Sequence, residues 1–252
     1  CTVNERGALH LGLVDGASGE VRILRRARGV HSRPQWSPDG RQVTVEYESP
    51  LQLAELFQVD VESGRAVSFS YTKSAAFPPP LLTEPEEVAY ASYDGLTIPA
   101  FLLRPARPNG AAVVYAHGGP SAQVQLEWDV LAQYFVAKGY HWLAPNYRGS
   151  TGYGRAFEEA NHRAWGNGDM QDCLYGARFL AALPGVEPSR IGIYGPSYGG
   201  YLTACALSRD PDYRFACGVS KYGDANTLTS WAKSNRDLRL YSETFLGHPA
   251  EN

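Results

Sequence analysis

The chain has 252 residues, 44% of them hydrophobic and 19% charged, with a net charge of -3. That balance is ordinary for a soluble globular protein and leaves no basic surface for nucleic acid and no acidic tail. No stretch reaches the ~18 consecutive apolar residues that a membrane helix requires, no apolar leader is present, and the opening at Cys1 without Met predicts a fragment or a processed product.

Residues 1–80 read as strands and turns. Val14-Asp15-Gly16-Ala17-Ser18-Gly19 and Val59-Asp60-Val61-Glu62-Ser63-Gly64 share a V-D-x-x-S-G pattern 45 positions apart. Each copy sits between two apolar runs, which is the grammar of a strand, a polar hairpin turn and a second strand. Between the copies lies Trp36-Ser37-Pro38-Asp39-Gly40, followed by Val43, Val45 and Tyr47 in alternation. In Pro-Asp-Gly, Pro sets φ, Asp bonds its own backbone and Gly accepts positive φ. A period of ~40–45 residues with about four strands per unit predicts β-propeller blades. A β-sandwich explains the strands but not the repeat. At most two blades fit in this length, and a ring takes at least ~4, so the propeller is expected to be partial.

Phe77-Pro78-Pro79-Pro80 reads as a stiff linker, and residues 81–252 as a second domain. Strands are predicted at 88–92 and 97–103 around an Asp94-Gly95 turn, then at 111–116, 140–144, 190–194 and 217–220. The intervening helices place Trp128, Leu131, Ala132, Phe135 and Val136 on one face, then Met170, Cys173, Leu174, Ala177 and Leu180 on another, with Asp169 as a capping residue. A further helix is predicted at 198–207. Apolar strands alternating with helices predict a mostly parallel sheet covered on both faces.

The chemistry gathers at Gly195-Pro196-Ser197-Tyr198-Gly199. G-x-S-x-G alone is unspecific, but a strand directly before it and a helix directly after it make it a nucleophile elbow, a tight turn that lifts the serine oxygen clear of the sheet. Side chains at Gly195 or Gly199 would collide across that turn. Acyl transfer also needs donors for the developing oxyanion. The Tyr198 N–H is one candidate, and the other lies in His117-Gly118-Gly119-Pro120, at His117, Gly118 or Gly119, since Pro120 has no N–H. His117 precedes Ser197, whereas this fold orders its triad Ser, Asp or Glu, His, so a structural histidine is expected there.

Strand–HGGP, the run Asn146-Tyr147-Arg148-Gly149-Ser150-Thr151-Gly152-Tyr153-Gly154 and the Ser197 elbow, behind propeller-type strands, resemble the prolyl oligopeptidase family of serine peptidases, nearest to its acylaminoacyl-peptidase and dipeptidyl-peptidase branches. The resemblance covers residues 85–252 by motif and residues 1–80 only by blade type. It implies an α/β-hydrolase fold behind a propeller that caps the site, short peptides as substrates, Ser197 as nucleophile, and Tyr198 with Gly118 and Gly119 as oxyanion donors. Residues 146–154 would form a loop bordering the site. Arg148 is expected either to support that loop through Asp169 or Asp172, or to be a solvated arginine.

The far end departs from the family. About six strands can be counted, whereas the triad acid and base of this fold follow its seventh and eighth. Of the histidines, His10 and His31 fall in propeller strands, His117, His141 and His162 precede the nucleophile, and only His248 follows it, with Asp224 or Asp237 between. The stretch from Ser197 to His248 is too short for the missing strands, so this chain is expected to be a truncated hydrolase domain, inactive alone. Cys1, Cys173, Cys205 and Cys217 show no metal-ligand spacing. Cys173 and Cys205 are expected as buried free thiols, pointing to a reducing, cytoplasmic setting. The expected chemistry needs no metal or cofactor, and homo-oligomerisation stays open. Two rivals remain: a carboxylesterase or lipase, against which Pro120 stands where HGGG is usual, and a non-catalytic peptide-binding scaffold.

Overall fold

Seven strands lead the chain: β1 (Thr2–Glu5), β2 (Ala8–Val14), β3 (Val21–Arg25), β4 (Val30–Trp36), β5 (Gln42–Ser49), β6 (Gln52–Asp60) and β7 (Ala66–Ser68). The computed structural model describes residues 1–72, 82–212 and 214–251, so the expected linker at residues 77–80 lies outside the described residues. β4 through β7 form a four-stranded antiparallel meander, and β1, β2 and β3 an antiparallel group of three. The two groups meet in one parallel bridge, Leu9 with Val30, which is the exception to the antiparallel pattern expected for this region. The alternation at Val43 and Val45 buries both against Leu11 and Val59 in a small apolar core.

The two V-D-x-x-S-G turns are built alike. The Asp15 carboxylate accepts from the Ala17 and Ser18 amides at 3.0 and 2.7 Å, and the Asp60 carboxylate from the Ser63 amide at 2.8 Å. Gly19 N–H donates to the Asp15 carbonyl and Gly64 N–H to the Asp60 carbonyl, both at 2.8 Å. Gly19 and Gly64 sit at φ +73° and +70°, where a Cβ is penalised. The spacing seen in the sequence therefore marks a true local repeat.

The chain divides into two compact units, residues 1–85 with 125–137, and residues 86–124 with 138–252. The segment 125–137 contains α1 (Val130–Ala137). Its Gln133 explains the grouping: the side-chain amide donates to the Pro50 and Thr83 carbonyls and accepts from the Thr83 amide, at 2.8–3.0 Å. The expected face of α1 holds at Ala132 and Val136, whereas Leu131 is exposed and the polar Gln133 is buried. The second unit is thus discontinuous in sequence, which a boundary drawn at one linker does not express.

That unit is a six-stranded sheet of β8 (Glu86–Ala91), β9 (Thr97–Leu103), β10 (Gly110–Tyr115), β11 (His141–Pro145), β12 (Val186–Pro196) and β13 (Cys217–Lys221). Its spatial order is β8-β9-β11-β10-β12-β13, antiparallel across β8, β9 and β11 and parallel from β11 to β13. β11 is buried along its whole length, the mark of a strand packed on both faces. The remaining helices are α2 (Arg155–Glu159), α3 (Gly168–Ala181), α4 (Tyr198–Arg209), α5 (Thr227–Lys233) and α6 (Arg236–Leu246). α3 and α4 pack on each other and on the sheet, burying Met170, Cys173, Leu174, Ala177, Leu180, Leu202 and Ala206 in one core. Asp169 does not cap α3: the helix starts at Gly168, and its carboxylate is used elsewhere. Cys173 and Cys205 are buried free thiols, while Cys1 and Cys217 are exposed. Among the described residues no helix is long and apolar enough to cross a membrane.

Candidate active site

β10 and β12 are parallel neighbours in register, with Tyr115 opposite Tyr194. Their carboxyl ends therefore deliver the next residues of both strands to one place, the edge where parallel sheets gather ligand-binding loops. From β10 come His117, Gly118 and Gly119, and from β12 comes Ser197.

Ser197 occupies the single position between β12 and α4, at φ +53° and ψ -122°. A non-glycine residue there is strained and persists only where its surroundings over-determine it. They do so here. Ser197 N–H donates to the Lys221 carbonyl at 3.0 Å, and its carbonyl accepts from Gly200 at 2.9 Å and Tyr201 at 3.1 Å. A Cβ on Gly195 would overlap the Gly199 backbone, and one on Gly199 would overlap the Ala116 carbonyl. Both flanking glycines are therefore demanded by close approach, as expected from the motif. Ser197 is itself exposed, at a cavity of about 320 Å³.

The residues expected to carry the donors lie near it. Gly118 passes so close that a Cβ there would touch Ser197 Cβ at 3.5 Å, and Gly119 and Tyr198 line the cavity. Tyr198 is the first residue of α4, so its amide has no acceptor one turn earlier. The arrangement places the Ser197 side chain at the N-terminus of α4, the positive end of the helix, where negative charge is favoured.

His117 is structural, as expected. Its Nδ1–H donates to the Gly118 carbonyl at 2.6 Å, Nε2 lies 2.8 Å from the Ser150 hydroxyl, and its ring stacks on Tyr147 at 4.2 Å. Burial pushes its basicity down to about 4, so it stays neutral. Residues 146–154, the loop that the resemblance places at the border of the site, lie against the glycine loop, with Thr151 N–H donating to the Ala122 carbonyl at 2.9 Å. They also brace that loop through Ser150 on His117 and through Asn146, which accepts from Val124 N–H at 2.6 Å.

Arg148 is buried rather than solvated, and it chooses Asp172. Its Nε and Nη2 donate to the two Asp172 oxygens, each at 2.9 Å, while Nη1 and Nη2 donate to Asp94 at 2.8 and 3.0 Å. The one guanidinium leaves the two acids shifted in opposite directions. Its hydrogen bonds hold the more exposed Asp94 down at about 2, whereas burial outweighs them at Asp172 and pushes that carboxyl up.

Asp169, the other carboxylate considered for Arg148, is fully buried and accepts the phenolic hydroxyl of Tyr198 and the Met170 amide, the latter at 2.8 Å. Burial pushes it up to about 6. This pairing escaped the sequence reading, as did the far wall of the cavity, formed by Trp165, Leu238, Tyr241, Ser242 and Leu246. The signal for that wall was the helical spacing of Leu238, Tyr241, Phe245 and Leu246. Among the described residues no histidine lines the cavity; His248 lies against Trp231, ring centroids 5.3 Å apart.

Residues 126–252 match the family model described as the prolyl oligopeptidase family. The dipeptidyl aminopeptidase BIII of Pseudoxanthomonas mexicana is 37% identical over 153 residues, covering 56% of this chain and 22% of that protein. A crystal structure of puromycin hydrolase aligns at a TM-score of 0.88 and 29% identity, over 99% of this chain and 39% of that one. The acylaminoacyl peptidase of Pyrococcus horikoshii aligns at 0.86 and 30%, over 100% of this chain and 40% of that one. The chain thus spans 22% of that curated relative's length.

Proposed function

The chain belongs to the prolyl oligopeptidase family, and from that premise we propose that it carries the nucleophile half of a serine peptidase that cleaves short peptides through an acyl-enzyme on Ser197. The observation that carries this reading is the left-handed backbone of Ser197 at the β12–α4 junction, exposed at a cavity that Gly119 and Tyr198 help to line. The hydroxyl attacks the scissile carbonyl, and the amides of Tyr198 and of the Gly118–Gly119 segment take the charge that forms on its oxygen.

The strand order β8-β9-β11-β10-β12-β13 supports an α/β-hydrolase sheet through its sixth strand, and the repeated Asp-Ser-Gly turns support incomplete propeller blades ahead of it. In this reading the triad's histidine–carboxylate pair is not among the described residues: none of the described histidines lines the cavity at Ser197, so Asp224, which does line it, has no imidazole there to hold. Without that pair the hydroxyl is a weak nucleophile, so the segment alone is inactive. The free thiols suit a reducing cytoplasm.

The test uses the active enzyme that contains this chain, with a fluorophosphonate label and a panel of peptide and short-acyl ester substrates. Wild type is labelled and prefers peptides, while Ser197→Ala is unlabelled and slower by several orders of magnitude. Near-normal peptide hydrolysis by Ser197→Ala would end the reading, and a preference for esters would favour the esterase.

A further inference from the structure

We propose that Asp169 is a positioning residue that holds Tyr198 in place, so that the Tyr198 amide points at the oxyanion; the proposal rests on the acyl-enzyme reading of Ser197. The need for such a device follows from the turn. The peptide between Ser197 and Tyr198 carries the N–H in question, and its tilt depends on the ψ of Ser197 and the φ of Tyr198. Being the first amide of α4, it has no acceptor within the helix to hold that tilt. Ser197 lies in a strained region of backbone space at φ +53°, where relaxation would rotate this same peptide.

Tyr198 is restrained at its far end instead. Its hydroxyl donates to Asp169, on the first turn of α3, and its ring packs against Trp165, Tyr201 and Tyr147 at centroid distances of 5.1, 5.6 and 6.3 Å. Asp169 is itself immobilised, with no exposed surface and its second oxygen occupied by the Met170 amide at 2.8 Å. A residue pinned at its ring tip on one side, and by the carbonyl bonds of Ser197 on the other, has little freedom to turn its amide away. α3 and the β12–α4 elbow come from different stretches of chain, so the hydrogen bond ties the glycine-flanked turn to the core rather than to its own loop. A misplacement of about 1 Å can cost about 10²-fold in rate, so the direction of an oxyanion donor governs how much it contributes.

The experiment measures kcat, KM and melting temperature for Asp169→Asn, Tyr198→Phe and the double variant in the active enzyme, with Ser197→Ala alongside. Rates of the variants that keep Ser197 are expressed per site titrated by fluorophosphonate, so that misfolded protein does not count, and that of Ser197→Ala per mole of folded protein. Loss of a whole oxyanion donor costs about 10²–10³-fold in kcat. A tilted donor should cost less, and each single variant is expected to lose roughly ten-fold or more in kcat with KM changed less than about three-fold. The double variant should be no slower than the slower single, because both variants act on the same hydrogen bond. Should Asp169→Asn not fold, Tyr198→Phe deletes the same bond from the other partner and keeps the ring. A lowered melting temperature with kcat per titrated site within about two-fold of wild type in both singles would make the pair merely structural and overturn the proposal. So would a double variant whose loss is the product of the two single losses. Retained turnover in Ser197→Ala would remove the acyl-enzyme reading itself, whereas its loss beside unaltered Asp169 and Tyr198 variants would remove only this inference.

Discussion

Gly199 lies directly against the carbonyl oxygen of Ala116, with no room between them for a Cβ. The contact joins the first turn of α4 to the residue that follows β10, and so holds the serine elbow against the glycine loop. Gly199→Ala forces backbone against backbone, and neither side can yield as a flexible side chain would. Overpacking typically costs 1–3 kcal/mol, and this variant should reach at least the top of that range, about 3 kcal/mol, with Ser197 no longer reacting with a fluorophosphonate. Urea unfolding and labelling measure the two effects. A wild-type midpoint in Gly199→Ala would refute the close approach.

Arg148 neutralises Asp172, which has no exposed surface. Arg148→Met leaves that carboxylate buried without a cation, and breaking such a pair from one side costs about 3–5 kcal/mol. Adding Asp172→Asn removes the stranded charge and should restore part of the loss. Chemical denaturation of the two variants decides it; equal stabilities would mean that Arg148 carries no such burden.

His117 and Asp169 should give opposite pH signatures. Folded His117 stays neutral down to about 4, while an unfolded histidine protonates near its ordinary 6.5. Between those values the unfolded chain binds more protons, so this residue's contribution to stability is lost as pH falls through the window. Asp169 is raised from 3.8 to about 6, so the folded state binds more protons there and its contribution is lost as pH rises. Across pH 4–6, His117→Gln should therefore flatten, and Asp169→Asn steepen, the rise of unfolding free energy with pH. Unchanged slopes would place both residues in ordinary solvent-like surroundings.

The twin turns should differ in tolerance although their backbones match. A Cβ on Gly19 meets nothing within 4 Å, whereas one on Gly64 would stand 2.7 Å from the Leu24 carbonyl oxygen. Gly19→Ala should cost about 1 kcal/mol, from the left-handed φ alone, and Gly64→Ala clearly more. The two thermal unfolding curves provide the comparison, and equal shifts would discount the Leu24 contact.

What the sequence determined by itself was local. Strand runs, helix periodicity, the Asp-Ser-Gly turns and the Gly-Pro-Ser-Tyr-Gly elbow depend on residues within a few positions of one another, so each could be read from spacing and from what glycine and proline allow. The family followed from motifs of the same kind. Tertiary structure decided what depends on which elements meet. The choice of Asp172 and Asp94 for Arg148 needed β8, α3 and the loop after β11 in one place. The use of Asp169 by Tyr198 rather than as a cap needed α3 beside α4. The assignment of α1 to the first unit turned on Gln133 reaching carbonyls about 50 and 80 residues away in sequence. A buried polar side chain must find partners wherever the fold supplies them, and no pattern along the chain says which of several carboxylates or carbonyls will be within reach.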